Sequence, residues 1–519
     1  MGFVNFVLAI SPIAFVLVGI LIMRASAMKA SVLALLWTML LALTYFNPGG
    51  LSFTANVDIF DALVWKGIKE GGKIVFMVFG AFVILNMLRH TGAMDDVKHT
   101  VARISGADRR VQLMIIGMFV PIFLEGAAGA GAPAAIAAPF LVTLGFDPVT
   151  AIACALLGDA TPGSWGGAGL TTINGGAALV EAGISTNALN SAMVGRFHMF
   201  GVLIIPFIMI AIAFGRKGFK GIIPYLCYVG VTTCLVMFFL SNVVGPEITS
   251  LGTGLIAIVL SVAYIRLFKI NTPDEYKYTH PVDAKTRYSA FQAISPYIYM
   301  IIMLPAVRYG APIVIENGFA LICTFGYIFW VDCVIIICGI LGAYTLRVSR
   351  HDYFKILSKT VSHVMPVLVT MGSLLILAYI MQSKTTGMMN LIADNIAEIA
   401  GIFYPAAAVV IGSMGSFITG TGLGSNIMFA GMHIEAAHAL SMNPITVFAA
   451  QNAGGALGNL ICPNNAVAAC ATLGEVGNEG AVLKKAVAAF CVIVIVYMIL
   501  SMLYTHVLFT NFGQAITAM

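Results

Sequence analysis

The amino-acid sequence predicts an all-α polytopic membrane protein with two inverted-topology repeats, each built from broken helices and re-entrant hairpins. Three observations predict it. The chain of 519 residues is 60% hydrophobic and 9% charged, where a soluble domain carries about 25% charged residues. Its basic residues fall in short loops that alternate between long apolar windows. Two segments, 110–176 and 404–474, are equally apolar but are interrupted by Gly, Pro and Asn.

Windows of about 20 apolar residues suffice to cross a hydrocarbon core of ~30 Å. Taken in order, they predict spans at 5–23, 30–46, 73–89, 191–214, 221–243, 250–268, 291–307, 319–345, 361–382 and 487–509. The opening MGFVNFVLAISPIAF has no basic n-region and no small-residue cleavage site, so it reads as a first span and not a signal peptide. The loop cations form five groups: Arg24 and Lys29; Arg89, Lys98, Arg103, Arg109 and Arg110; Arg216, Lys217 and Lys220; Arg266, Lys269, Lys277, Lys285 and Arg287; Arg347, Arg350, Lys355 and Lys359. Placing all five inside gives a consistent alternation with the N-terminus outside. The loops left outside, around Glu247 and Glu316, carry few basic residues. The first interrupted segment then enters from the cytoplasm and the second from outside. The net charge of +5 has no basic stripe behind it, which excludes a nucleic-acid partner and leaves membrane lipid as the surroundings.

Opposite entry suggests internal repetition. TGAMDDVKHTVARISG (91–106) aligns without a gap on TGMMNLIADNIAEIAG (386–401) at an offset of 295. Downstream, Phe123-Leu-Glu-Gly126 meets Phe417-Ile-Thr-Gly420 at 294, and Asp147-Pro-Val-Thr150 meets Asn443-Pro-Ile-Thr446 at 296. The predicted organisation is N-terminal spans over 1–72, a first repeat over 73–215, connecting spans over 216–360 and a second, inverted repeat over 361–519. Inverted repeats whose interrupted segments correspond are the pattern of a secondary transporter. Helices break inside a bilayer only where protein or a water-filled cavity satisfies the freed backbone groups, so the breaks point to the substrate site.

Four stretches hold the candidate residues: FLEGAAGAGAPAAIAAP (123–139), LGDATPGSWGGAGLTT (157–172), GSFITGTGLGSNIMF (415–429) and QNAGGALGNLICPNN (451–465). None contains Lys or Arg. An anion there is expected at helix N-termini, with Ser and Asn supplying further donors. The candidate substrate-binding residues are Gly126, Gly129, Gly131, Ser164, Thr419, Thr421, Gly424, Ser425, Asn426 and Asn452. Ala127, Ala128, Ala134 and Ala137 read instead as close helix packing. Glu125 is the candidate proton-coupling acid, because a carboxyl at this depth is costly and needs a partner or a proton; the alternative is a structural acceptor for nearby backbone N–H groups. Its repeat counterpart is Thr419. Asp159, before Thr161-Pro162, is a second coupling candidate or a helix cap.

Other polar groups read more plainly. Arg196 and His198 open an apolar span, and Arg196 reads as snorkelling to the interface. Asp332 lies in an apolar stretch with no partner named by the sequence. The histidines of HIEAAH (433–438) are five apart and do not share a helical face, so no metal is expected. The nine cysteines form no CxxC pair and read as core packing. No GxSxG or Walker A pattern supports a hydrolase or an ATP-driven pump, so no enzyme is expected.

These stretches resemble the L-lactate permease family. FLEGAAGAGAPAAIAAP matches that family's FxEGAAGFGTPVAIAAP-like block. GFDP with GSWGGAG, then GSFITGTGLGSNIMF, then AAQNAGGALGNLICPNN follow its remaining blocks in order. The resemblance covers most of the chain. It implies an ion-transporter-like fold, with paired re-entrant hairpins around a central site. It also implies proton symport of small 2-hydroxy monocarboxylates such as lactate or glycolate, in a prokaryotic cytoplasmic membrane, with no cofactor. Ala130 and Ala132 stand where the family usually has Phe and Thr, Asn459 where a basic residue is common, and Asn464 where Gln is frequent. These departures bear on which acid is carried. Sodium coupling through hairpin carbonyls, Asn426 and Asn465 is the first alternative, and a gated anion channel the second. Helices outside the repeats are available for a homodimer.

Overall fold

The computed structural model describes residues 2–513 apart from 20–22, 24, 26, 47–52, 95, 97–107, 128–131, 269, 278–286, 317–326 and 384. Among the described residues every extended element is a helix, and the one β-bridge is isolated, between Asp108 and Lys277. Three helices open the chain: α1 (Gly2–Leu17), α2 (Ala27–Thr44) and α3 (Phe53–Thr91). The first interrupted segment begins with α4, in which Arg109–Met114, a π-helical stretch Ile115–Phe119 and Val120–Ala127 run on continuously. It continues as α5 (Ala132–Thr143), α6 (Pro148–Gly158), a 3-10 turn (Pro162–Trp165), α7 (Gly166–Ile173) and α8 (Ala177–Glu181). Then come α9 (Asn187–Phe214), α10 (Ile223–Phe239), α11 (Pro246–Leu267), α12 (Ala290–Glu316), α13 (Tyr327–Thr345), α14 (Arg350–Gln382) and α15 (Met388–Ala400). The second interrupted segment comprises α16 (Tyr404–Thr419), α17 (Gly422–Ala439), α18 (Pro444–Ile461) and α19 (Pro463–Leu473), and α20 (Glu479–Leu503) follows it. Among the described residues five helical stretches are long and apolar enough to cross a membrane: Asn187–Phe214, Ile223–Val244, Pro246–Leu267, Glu398–Thr419 and Glu479–Leu508.

Two readings of the sequence change. The span expected at 73–89 begins much earlier, at Phe53. The charges between Asp58 and Lys73 hide that start from hydropathy, but helix formation does not require apolar residues. Packing on α14 carries the helix outward. Lys66 lies 4.4 Å from the centre of the Tyr379 ring, and Gly67 lets Ile376 approach its backbone. Nearer the other end Asn86 donates to Thr360 at 3.2 Å, so the two long helices run antiparallel. Secondly, Arg110 is no loop cation. It is fully buried, with Nη2 2.7 Å from Asp108 Oδ2. Its Nη1 donates to the carbonyls of Gly218 and Lys220, at 3.0 and 2.7 Å. Asp108 also accepts from Thr272 at 2.8 Å, so one ion pair ties two connections to the start of α4.

The interrupted segments use the same local chemistry. Asp147 caps α6, its carboxylate accepting from the Thr150 N–H at 2.9 Å. Asn443 caps α18, its Oδ1 accepting from the Ile445 N–H at 2.9 Å. In each case proline follows at the first helical position, where its missing N–H costs nothing. Gly158 and Gly454, at corresponding positions, each press their backbone onto a carbonyl of the preceding helix, of Gly117 and Val409 respectively, where a Cβ would collide.

Packing between the halves is reciprocal. α6 packs on α20 while its counterpart α18 packs on α9; α5 packs on α19 while its counterpart α17 packs on α7. Exchange of this kind is what an approximate two-fold relation generates. It brings the broken ends of both segments to the middle of the buried core.

Candidate substrate and coupling site at the helix breaks

The break between α6 and α7 carries Asp159, Thr161 and Ser164. The end of α4 brings Glu125 to it. Both acids are 3% exposed. Their carboxyls face each other, and among the described residues neither Glu125 Oε2 nor Asp159 Oδ1 receives a donor. An ionised carboxylate only accepts, so a hydrogen bond between two carboxyls holds a proton. Gly166 backs onto Glu125 Oε1, and any Cβ there would collide with it. The structure thus joins the two candidate coupling acids, residues that are 34 apart in sequence.

Ser164 is fully buried. Its hydroxyl donates to the Asn452 carbonyl at 3.3 Å and lies 2.7 Å from His198 Nε2. His198 Nδ1 in turn lies 2.8 Å from the Tyr497 hydroxyl. His198 thus bridges Ser164 and Tyr497, with both ring nitrogens within hydrogen-bond distance of a hydroxyl. The side chain of Asn452 donates to Thr172 at 2.9 Å, and Thr172 donates to the Ser164 carbonyl at 2.6 Å.

The second half repeats this logic with other residues. Thr419 donates to the Thr421 carbonyl at 2.8 Å, and Thr421 caps α17 by accepting from the Gly424 N–H at 3.0 Å. Gly420 has φ +76°, the left-handed conformation that lets α16 end in this tight turn. Ser425 donates to the Gly412 carbonyl at 2.9 Å and accepts from Gln451 at 2.9 Å. Gln451 Oε1 lies 2.8 Å from His433 Nε2, and His433 Nδ1 lies 2.8 Å from the Tyr404 hydroxyl. Turning the Gln451 carboxamide over would force Ser425 to give up Gly412, so His433 carries its proton on Nε2 and accepts from Tyr404. Asn426 donates to the Thr171 carbonyl of the opposite half at 3.2 Å.

Of the candidate binding residues, Ser164, Thr419, Thr421, Gly424, Ser425, Asn426 and Asn452 gather around these breaks. Gly126 belongs to a helix crossing, its backbone against Leu251 of α11. Gly129 and Gly131 lie outside the described residues. Sequence reasoning did not single out Tyr404, Gln451 or Tyr497, and it left His198 and His433 without a role. A histidine inside an apolar span was the available signal, since it is costly there unless both nitrogens are bonded. His433 is buried and His438 exposed, so HIEAAH does not bring its histidines together. Buried side-chain atoms without a partner also collect at the breaks: Thr161 Oγ1, Asn452 Oδ1, Asn459 Oδ1 and Asn464 Oδ1.

Membrane-length apolar helices around paired broken helices, with unmet polar groups at the breaks, define a multi-pass membrane transporter and not an enzyme. The sequence profile of L-lactate permease matches residues 5–317 and 307–508, and the chain belongs to that family. It is 26% identical to the L-lactate permease of Salmonella typhimurium, over 85% of this chain and 86% of that protein. It is 24% identical to the glycolate permease GlcA of Escherichia coli, over 96% of this chain and 95% of that one. Among solved structures, the YdaH transporter of Alcanivorax borkumensis aligns over 91% of this chain and 98% of its own, at 16% identity and a TM-score of 0.39.

Proposed function

We propose that the protein is a proton-coupled symporter of small 2-hydroxy monocarboxylates, of the lactate and glycolate kind, in a bacterial cytoplasmic membrane. The relatives named for lactate and glycolate support the substrate class. The observation that carries the coupling is the buried Glu125–Asp159 pair, two carboxyls set against each other beside the break, which suits a shared proton. Proton and anion enter together, which keeps the site close to neutral during the crossing, and buried charge is the main cost of such a crossing. The reciprocal exchange of helices between the halves supports alternating access, with the two segments rocking about a fixed site. Opposite insertion of the segments rests on the loop charges, which place the N-terminus outside. Sodium coupling is the second reading, favoured by the unpartnered oxygens of Thr161, Asn452, Asn459 and Asn464.

The test is uptake of radiolabelled L-lactate and glycolate into proteoliposomes, with an imposed pH gradient and no sodium, Glu125→Gln beside the wild type. Uphill uptake in the wild type collapses with a protonophore. The variant loses it and keeps exchange of external for internal substrate. Accumulation that appears only with sodium replaces the first reading by the second. No gradient-driven accumulation under either ion ends both.

A further inference from the structure

Most polar side chains at the breaks are occupied within the protein. Asn426 and Asn452 donate across to the first half, and Asn465 donates to the Asn459 carbonyl at 3.1 Å. Asn459 and Asn464 differ. Among the described residues neither carboxamide makes a hydrogen bond: both Oδ1 atoms are buried without a partner and neither Nδ2 donates, although Asn459 is 9% exposed and Asn464 3%. An unmet polar group at this depth is costly to keep. Two of them, either side of one break, are unusual for a packed core.

Their surroundings are specific. Asn459 Nδ2 lies 3.3 Å from where a Cβ on Gly163 would stand, at the turn of the first half. Asn464 Nδ2 lies 2.8 Å from where a Cβ on Gly420 would stand, at the tip of the second. Each free amide therefore faces a glycine of a different half. Between them, at Cys462-Pro463, α19 begins, an 11-residue helix with no side-chain cap. Its first free N–H groups, of Asn464 and Asn465, meet only the Cys462 sulfur, a weak acceptor. The positive end of the helix dipole is thus uncompensated beside two unpartnered N–H donors.

We infer that Asn459 and Asn464 form the carboxylate subsite, each donating through Nδ2 to one oxygen of the anion at the N-terminus of α19. This rests on the monocarboxylate reading above and names the residues that hold the charged end of the substrate. Neutral donors and a helix dipole suit a transporter, because the anion must also leave. The subsite and the carboxyl pair lie on the same turn, Asp159 to Gly166: Gly166 faces Glu125 and Gly163 faces Asn459. Proton and anion therefore load at neighbouring points of one element.

The experiment is the concentration dependence of L-lactate and glycolate uptake by wild type, Asn459→Ala, Asn464→Ala, Asn459→Asp and Asn464→Asp. Each protein is reconstituted after gel filtration shows it monodisperse. Losing a hydrogen bond to a charged group raises KM by about tenfold or more in the alanine variants. The near-isosteric aspartates raise it further by repelling the anion, while the maximal rate stays within about twofold of wild type. A purely structural role reverses that order, since alanine loses more packing than aspartate. KM values equal to wild type in the folded variants, or an alanine effect larger than the aspartate effect, overturn the assignment and leave the transport reading standing. A wild type that takes up neither acid refutes the transport reading itself, and the subsite with it.

Discussion

The two halves place different chemistry at corresponding positions. Where the first has Glu125, the second has Thr419; where the first has Asp159, the second has Gly455. Thr419 is satisfied locally, donating to Thr421 two residues on. Glu125 instead faces Asp159, at the end of another helix. The second half is a self-contained tip, and the first is a tip whose acid depends on another helix. Side-chain caps at Asp147 and Asn443 and matching close contacts at Gly158 and Gly454 show a shared local backbone, while the buried carboxyls lie on one side. A coupling device needs only one proton-binding pair per substrate site, and a second would add another buried charge to neutralise.

Exchanging the acid between halves breaks this comparison most severely. In the double variant Glu125→Thr with Thr419→Glu, gradient-driven uptake falls to background, because Gly455 offers the transplanted carboxyl no partner; recovery of uptake would show that the position of the acid does not matter. Next come the shared contacts. Gly158→Val and Gly454→Val each drive a side chain into a backbone carbonyl, and overpacking of this kind costs about 1–3 kcal/mol or more. Both should lower the melting temperature and yield of solubilised protein alike, and a tolerant variant would mean that its crossing is looser than its partner.

A smaller effect is expected at the tyrosines behind the two buried histidines. Tyr404→Phe and Tyr497→Phe each leave a histidine nitrogen without its hydrogen-bond partner, at about 1–3 kcal/mol. Equal losses in thermal melts are expected, and loss from one alone would show that only one half relies on its Tyr–His chain. The smallest effect belongs to the caps. Asp147→Asn keeps a good cap and loses a half-exposed ion pair with Lys485, 3.8 Å away, worth at most about 1 kcal/mol. Asn443→Asp also keeps a cap but turns a carboxylate toward the carbonyls of Phe509, Thr510 and Phe512, which Asn443 now donates to. Asn443→Asp should therefore destabilise more than Asp147→Asn, and the reverse order in melts would show that the ion pair is the stronger device.

Local signals made much of this legible. Pro148 and Pro444 behind Asp147 and Asn443 announced two helix starts, and Gly420-Thr421-Gly422 announced a turn, because caps and turns depend on neighbours in the chain. The start of α3 was not legible, since its charged outer turns are held by contacts with α14, nearly 300 residues away in sequence. Nor was Arg110, whose loop-like sequence setting gives no hint of Asp108, Gly218 and Lys220 closing around it.

The sequence by itself determined the class: apolar windows long enough to cross a bilayer, broken segments at corresponding positions, and one acid where polar groups are scarce. These follow from hydropathy and backbone chemistry, which are local. Only the tertiary structure decided that Glu125 meets Asp159, that His198 stands between Ser164 and Tyr497, and that Asn459 and Asn464 keep their carboxamides free on either side of one break. Those are pairings between distant helices, and a hydrogen bond depends on a few ångströms of separation that no spacing along the chain encodes.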